Sequence, residues 1–155
     1  ATTELYTLSL HDALPIFVAT TFTGNVPYFD IIASNESGTH IPIQVKTIRR
    51  GSWQFANLRQ FMDVQLSGRE QIIGDPKVEP YPGLIMAFVK LGVNRTQDQI
   101  FLLKWTELRE LAIQLHSGYL EKHGRIRPRK FDSFHLGVLP EDIESYRNRW
   151  SLLTE

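Results

Sequence analysis

The chain of 155 residues contains no cysteine. This absence excludes disulfide bonds and metal sites built from thiolates. Five histidines and 17 acidic residues remain as candidate ligands, so any metal site would be of the kind that hard cations prefer.

Two further features are missing, namely a long apolar run and a charge excess. No stretch approaches the roughly 18–20 apolar residues of a membrane span, and no signal peptide is legible. We therefore expect a cytoplasmic protein without a membrane partner. The 17 Lys and Arg residues balance the 17 Asp and Glu residues, so net charge does not argue for nucleic acid. A binding face needs only local positive charge, so the balance does not exclude it either.

The first sixteen residues, ATTELYTLSLHDALPI, resemble one reading frame of a common short-read sequencing adapter rather than a protein family. Residues 6–16 match that frame without exception, and upstream of them only Leu5 departs from it, where the adapter gives Ile. Artefacts of this kind are kept out of fold reasoning. We therefore interpret residues 1–16 as adapter-derived and residues 17–155 as one domain, with the natural sequence beginning at or near Phe17.

The rest of the chain is patterned as a mixed α/β domain. Strands come first and helices late, which predicts a mixed central sheet with flanking helices, α/β or α+β. A helix is expected from a cap at Thr106 to about His123, and a last short helix should begin at Pro140 and bury Ile143, Tyr146 and Trp150 on one face. The predicted strands cover residues 17–23, 29–33, 40–48, 61–66, 70–73, 84–91 and 99–104.

One predicted hairpin carries a polar constellation within FDIIASNESGTHIPIQVKT, residues 29–47. Asp30 begins its first strand. On the second strand, Gln44 and Lys46 share the face opposite to the apolar residues, because strand side chains alternate. The three polar side chains could therefore converge. An acid beside an amide can hold Mg²⁺, and a nearby lysine can offset charge that develops on a phosphate.

This pattern resembles the PD-(D/E)XK nuclease superfamily, which includes restriction enzymes and Holliday-junction resolvases. The resemblance implies a restriction-endonuclease-like fold, Mg²⁺ or Mn²⁺ as cofactor and DNA as partner, with a homodimer left open. It also implies that Asp30, Gln44 and Lys46 are catalytic, and that Asp30, Gln44 and the Val45 carbonyl bind metal. Two departures are that Pro27 lies three residues before the acid and that Gln replaces the commoner Asp or Glu, as in Mrr-like enzymes.

The same family fold has a helix before the first strand, often with a metal-binding Glu. The adapter-like segment takes its place in the sequence. We therefore expect the first helix to be lost, residues 1–15 to pack poorly, and an apolar patch to be left on the sheet. Weaker Mg²⁺ binding is also expected from the neutral Gln44.

Each of these candidate functional features also has a purely structural interpretation. The polar strand face could simply be solvated, and the domain could be a non-catalytic nucleic-acid-binding or structural module. Arg49 and Arg50 could contact phosphate and Trp53 could stack on a base, or they could be a charged strand end and a core tryptophan. The basic loop RIRPRK, residues 125–130, could contact phosphate or merely be solvated.

Overall fold

The structure is a computed structural model that describes residues 17–22 and 26–155. The adapter-like segment and the expectations attached to it lie outside the described residues. Within these residues, 3₁₀ segments accompany the regular elements at Leu58–Gln60, Arg95–Gln97, Pro140–Tyr146 and Trp150–Leu153. The regular elements are β1 Phe17–Thr21, β2 Ile31–Asn35, β3 His40–Ile48, β4 Trp53–Phe55, β5 Met62–Ser67, β6 Glu70–Pro76, β7 Ile85–Lys90, β8 Gln99–Lys104, α1 Trp105–Lys122 and β9 Leu136–Val138.

A five-stranded sheet of order β1-β2-β3-β7-β8 forms the centre of the molecule. Strands β3 and β7 are parallel, and all other neighbours in this sheet are antiparallel. Two small two-stranded sheets, β4-β9 and β5-β6, lie outside it. The expected mixed α/β architecture is therefore present. Among the described residues, no helix is long and apolar enough to cross a membrane.

The central sheet separates two apolar clusters. The larger one packs α1 and both small sheets against Met86, Phe88, Phe101 and Leu103. The smaller one, on the opposite face, includes Ile43, Ile85, Ala87 and Leu102, with Leu152 of the last 3₁₀ turn over them. The alternation along β7 therefore buries side chains on both faces, as is typical of a central strand whose sequence is a nearly continuous apolar run.

Helix α1 begins two residues earlier than expected. It follows β8 directly, so Lys104 rather than Thr106 is its cap residue. The Glu107 carboxylate accepts a hydrogen bond from the Lys104 backbone nitrogen at 2.8 Å. This contact satisfies the Lys104 N–H at the start of the helix.

The end of the chain also differs from the expected single helix. It forms two separate 3₁₀ turns. Ile143 and Tyr146 join the larger cluster, whereas Trp150 packs against the smaller cluster. The prediction of one shared face was wrong because the chain passes across the edge strand β8 between the two turns, where Arg147 forms a bridge with Phe101.

Candidate active site

The second half of β3 has a strand neighbour on one side only. Strand β2 pairs with β3 from His40 to Ile43, whereas β7 pairs with it from Ile43 to Ile48. Beyond Ile43, the edge that faces β2 is therefore without a partner strand. An open hollow of about 280 Å³ lies beside it, lined by residues 45–48, Trp53 and Gln54.

Asp30 contacts this open edge. Its Oδ2 accepts a hydrogen bond from the backbone nitrogen of Val45 at 2.8 Å, and its own backbone nitrogen donates to the Ile43 carbonyl at 2.8 Å. The carboxylate thus takes the place that a partner strand would have at Val45. Tyr28, two residues earlier, has a left-handed φ of 77°, which turns the chain so that Phe29 is buried while Asp30 is exposed.

Gln44 and Lys46 lie on the expected face of β3. Ile43 belongs to the smaller cluster and Val45 packs against it, whereas Ile48 packs against the larger cluster, so even-numbered positions face the larger cluster. The Lys46 Nζ lies 4.8 Å from the centroid of the Phe55 ring. A cation over an aromatic face is held electrostatically, and this contact gives the amine a defined position beside the hollow.

The structure brings Asp30 and Val45 into direct contact, but not Asp30 and Lys46. Among the described residues, no salt bridge within 4.0 Å joins the Asp30 carboxylate to the Lys46 amine. The Asp30 carboxylate lies at the backbone nitrogen of Val45, whereas the Lys46 amine is turned toward Phe55. In residues 17–22 and 26–155 there is also no group of three or more His, Asp or Glu side chains placed to hold a metal.

Trp53 is a core residue, which is one of the two alternatives that the sequence left open, and its burial speaks against base stacking. Its side chain is 1% exposed and packs edge-to-face against Phe88 and Phe101. Its Nε1 donates to the Lys46 carbonyl at 3.0 Å. A base cannot reach a ring that is enclosed in this way, whereas the hydrogen bond ties the core to the backbone of the candidate catalytic lysine.

Arg49 and Arg50 are exposed in the bend that follows β3. Neither forms a salt bridge within the described part of the chain. Both guanidinium groups are therefore accessible to an anion, in keeping with the expected phosphate contacts.

The oxygen atoms at this edge are of the chemical type that a hard divalent cation binds. Asp30 offers a carboxylate at the edge, and Gln44 carries an amide oxygen on the neighbouring face of β3. The Val45 carbonyl faces the same side as the Val45 N–H, since both backbone groups of a strand residue point to one neighbour. Mg²⁺ commonly binds through one or two protein carboxylates together with substrate phosphate. This donor set has one carboxylate, which is the lower limit of that pattern.

Sequence reasoning missed a buried polar pair elsewhere. His116 and Gln71 are each 1% exposed, and His116 Nε2 lies 2.8 Å from Gln71 Oε1. Burial, with a further contribution from the positive charge of Arg127, lowers the pKa of His116 from 6.5 to about 4. The signal was present in the sequence, because His116 continues the four-residue spacing of Leu108 and Ala112 on the buried helix face.

Comparisons with protein-family models, with curated proteins and with solved structures gave no match.

Proposed function

We propose that the chain is a metal-dependent DNA endonuclease-like domain of the PD-(D/E)XK type that hydrolyses phosphodiester bonds. The observation that carries this proposal is the hydrogen bond from Val45 to the Asp30 carboxylate. It places the Asp30 carboxylate, at the start of one strand of the hairpin, against Val45, which lies between Gln44 and Lys46 on the other strand. Acid and lysine from neighbouring strands at an open sheet edge are the parts that hydrolysis of a phosphodiester needs.

Each residue of the site has a role in this proposal. Asp30, Gln44 and the Val45 carbonyl would hold Mg²⁺ or Mn²⁺, which when bound would supply a Lewis acid for the phosphate oxygens. Lys46 orients the attacking water and offsets the negative charge that grows on the phosphate as water attacks phosphorus and the bond to the leaving oxygen breaks. Arg49 and Arg50 hold the neighbouring phosphates of the strand.

A second candidate is a nucleic-acid-binding module that keeps this arrangement without cleaving. The observation that favours it is the composition of the donor set, in which Gln44 supplies no charge. Asp30 is then the single carboxylate at the edge. Such a module would bind DNA through Arg49 and Arg50. It would not cleave DNA, whether or not Lys46 is substituted.

The proposal is tested by DNA cleavage in the presence and absence of Mg²⁺, with the natural N-terminal sequence restored in place of residues 1–16. Cleavage that requires Mg²⁺ is expected, and Lys46→Ala should abolish it while leaving the circular dichroism spectrum nearly unchanged. Lys122→Ala, at the exposed last residue of α1, is the matched control and should cleave normally. DNA binding without any cleavage by the unsubstituted chain would favour the second candidate instead.

A further inference from the structure

Two arginines lie on aromatic rings of residues 131–136, which we term the 131–136 segment, and a lysine lies on a ring beside that segment. The Arg59 guanidinium lies 4.0 Å from the Phe134 ring centroid, and the Arg69 guanidinium lies 5.5 Å from that of Phe131. At the other end, Lys46 lies over Phe55, which pairs with Leu136. The order along the segment is therefore Lys46, Arg59 and Arg69.

The 131–136 segment is fixed by hydrogen bonds to its carbonyl groups. Gln71 Nε2 donates to the Phe131 and Ser133 carbonyls at 2.6 and 2.9 Å. The Leu58 backbone nitrogen donates to the Phe134 carbonyl at 2.6 Å, and Arg127 Nη1 donates to the His135 carbonyl at 2.6 Å. Because its backbone is held from several sides, the segment keeps the rings, and hence the cations over them, at a set spacing.

Within the described residues these cations have no acidic partner, a property that they share with Arg49 and Arg50. By contrast, Arg147 and Arg149 each contact a glutamate. Arg59 and Arg69 are exposed. The stretch 125–136 adds further positive charge, with Asp132 as its one acid.

The spacing of the row suits a nucleic-acid backbone. Phe131 and Phe134 are three residues apart in the chain, so their backbones are separated by at most about 10 Å. One DNA strand carries a phosphate about every 3.4 Å along the helix axis, so Arg59 and Arg69 could contact phosphates a few nucleotides apart. Arginine over an aromatic ring keeps its outer N–H groups directed away from the ring and available to phosphate oxygens.

We propose that Lys46, Arg59 and Arg69 form a cationic track that binds the phosphate backbone of DNA as it leads away from the candidate active site. The direction of the track rests on the proposed function, because Lys46 is the residue assigned to the scissile phosphate. The binding itself does not depend on catalysis. An acidic protein would be the alternative partner, but the row ends at the residue that the proposed chemistry places on a phosphodiester.

The test measures binding of a labelled DNA duplex of about 20 base pairs by fluorescence anisotropy, in EDTA, over a series of salt concentrations. The double variant Arg59→Gln/Arg69→Gln should bind more weakly by about tenfold or more and lower the salt slope by about 2, since each lost phosphate contact lowers it by about 1. The variant Arg59→Lys/Arg69→Lys, which keeps both charges, should retain most of the slope.

The matched control, Lys104→Gln/Arg147→Gln, removes the same charge from a different part of the surface and should leave the slope unchanged. Thermal melting checks that Arg59→Gln still folds, because Arg59 Nε also donates to the Val64 carbonyl. An unchanged slope in the Arg59/Arg69 variant, or equal competition by polyglutamate, would overturn the track. Normal binding by the track without Mg²⁺-dependent cleavage would instead contradict the nuclease function and leave the track standing.

Discussion

The Asp30 carboxylate lies 2.8 Å from the backbone nitrogen of Val45 and completes the hydrogen bonding of a strand that β2 no longer accompanies. The same carboxylate is the acid of the proposed site. One side chain therefore serves both the local structure and the proposed chemistry, and substitutions at this position can separate the two.

The first prediction compares Asp30→Asn with Asp30→Ala. Asparagine keeps an oxygen that can accept from the Val45 amide, so Asp30→Asn should unfold in urea at nearly the same concentration as the unsubstituted chain. Alanine removes the acceptor, and Asp30→Ala should lose about 1 kcal/mol of stability. Both variants should lose Mg²⁺-dependent cleavage. Full cleavage by Asp30→Asn would show that the carboxylate charge has no part in the chemistry.

The second prediction concerns Trp53, whose indole donates to the Lys46 carbonyl. Trp53→Phe keeps an aromatic ring in the core but removes the donor, and a buried group left without its partner costs about 1–3 kcal/mol. We expect a loss of that size in urea unfolding. Because the ring is enclosed, DNA affinity below the melting temperature should not change. A large loss of affinity without loss of stability would restore the stacking role.

Local pattern was sufficient to predict several strands. The bounds of β3 and β8 agree with the prediction, since each is a run rich in β-branched or apolar residues between polar or turn residues. Strands β4 and β9 were missed. Each has three residues, too few for alternation to be visible, and they pair only because the fold brings distant parts of the chain together.

The candidate site was predictable only in part, for the same reason. Alternation places Gln44 and Lys46 on one face, and the structure agrees. The position of the Lys46 amine depends on Phe55, a residue of the unpredicted strand β4. The edge is open because β2 pairs with β3 only as far as Ile43, while β7 pairs with β3 on the other side, and both pairings depend on tertiary packing that a single sequence does not reveal.

The third prediction compares two arginine–glutamate pairs near the end of the chain. Arg149 Nη1 donates to both Glu107 carboxylate oxygens at 2.8 and 2.9 Å in a half-buried position, and this hydrogen bonding raises the pKa of Arg149. Arg147 pairs with Glu144 at an exposed position. Arg149→Ala should therefore lower the free energy of unfolding by about 1.5–3 kcal/mol, because it leaves the Glu107 carboxylate, which also caps α1, without its charged partner.

The matched variant Arg147→Ala should cost less than about 1 kcal/mol, as exposed ion pairs usually do. Urea unfolding of the two variants at low and high salt provides the measurement. Equal losses in both variants would contradict the argument that burial and capping distinguish the two pairs.

The last prediction concerns the pH dependence that His116 gives to stability. Its pKa is about 4 in the folded chain, against 6.5 as the ordinary value. Above about pH 6.5 the imidazole is neutral in both states, so His116 makes stability independent of pH there. Between pH 6.5 and 4 the unfolded chain binds a proton that the folded chain does not, and the free energy of unfolding should therefore fall as the pH is lowered.

The expected decrease is about 1.4 kcal/mol per pH unit and about 3 kcal/mol in all by pH 4. Carboxylates also titrate near the lower end of this range, so the comparison must be made with a variant that lacks the imidazole. His116→Gln can still donate to Gln71 and has no proton to gain, and its urea unfolding should depend less on pH between 6.5 and 5. The same slope in both proteins would show that His116 gains its proton over the same pH range in the folded and the unfolded chain, so that its pKa is not lowered by folding. In the buried contact, Gln71 Nε2 already donates to the Phe131 and Ser133 carbonyls, so Gln71 Oε1 must accept from His116. That equal slope would contradict the description of His116 and Gln71 as a neutral pair.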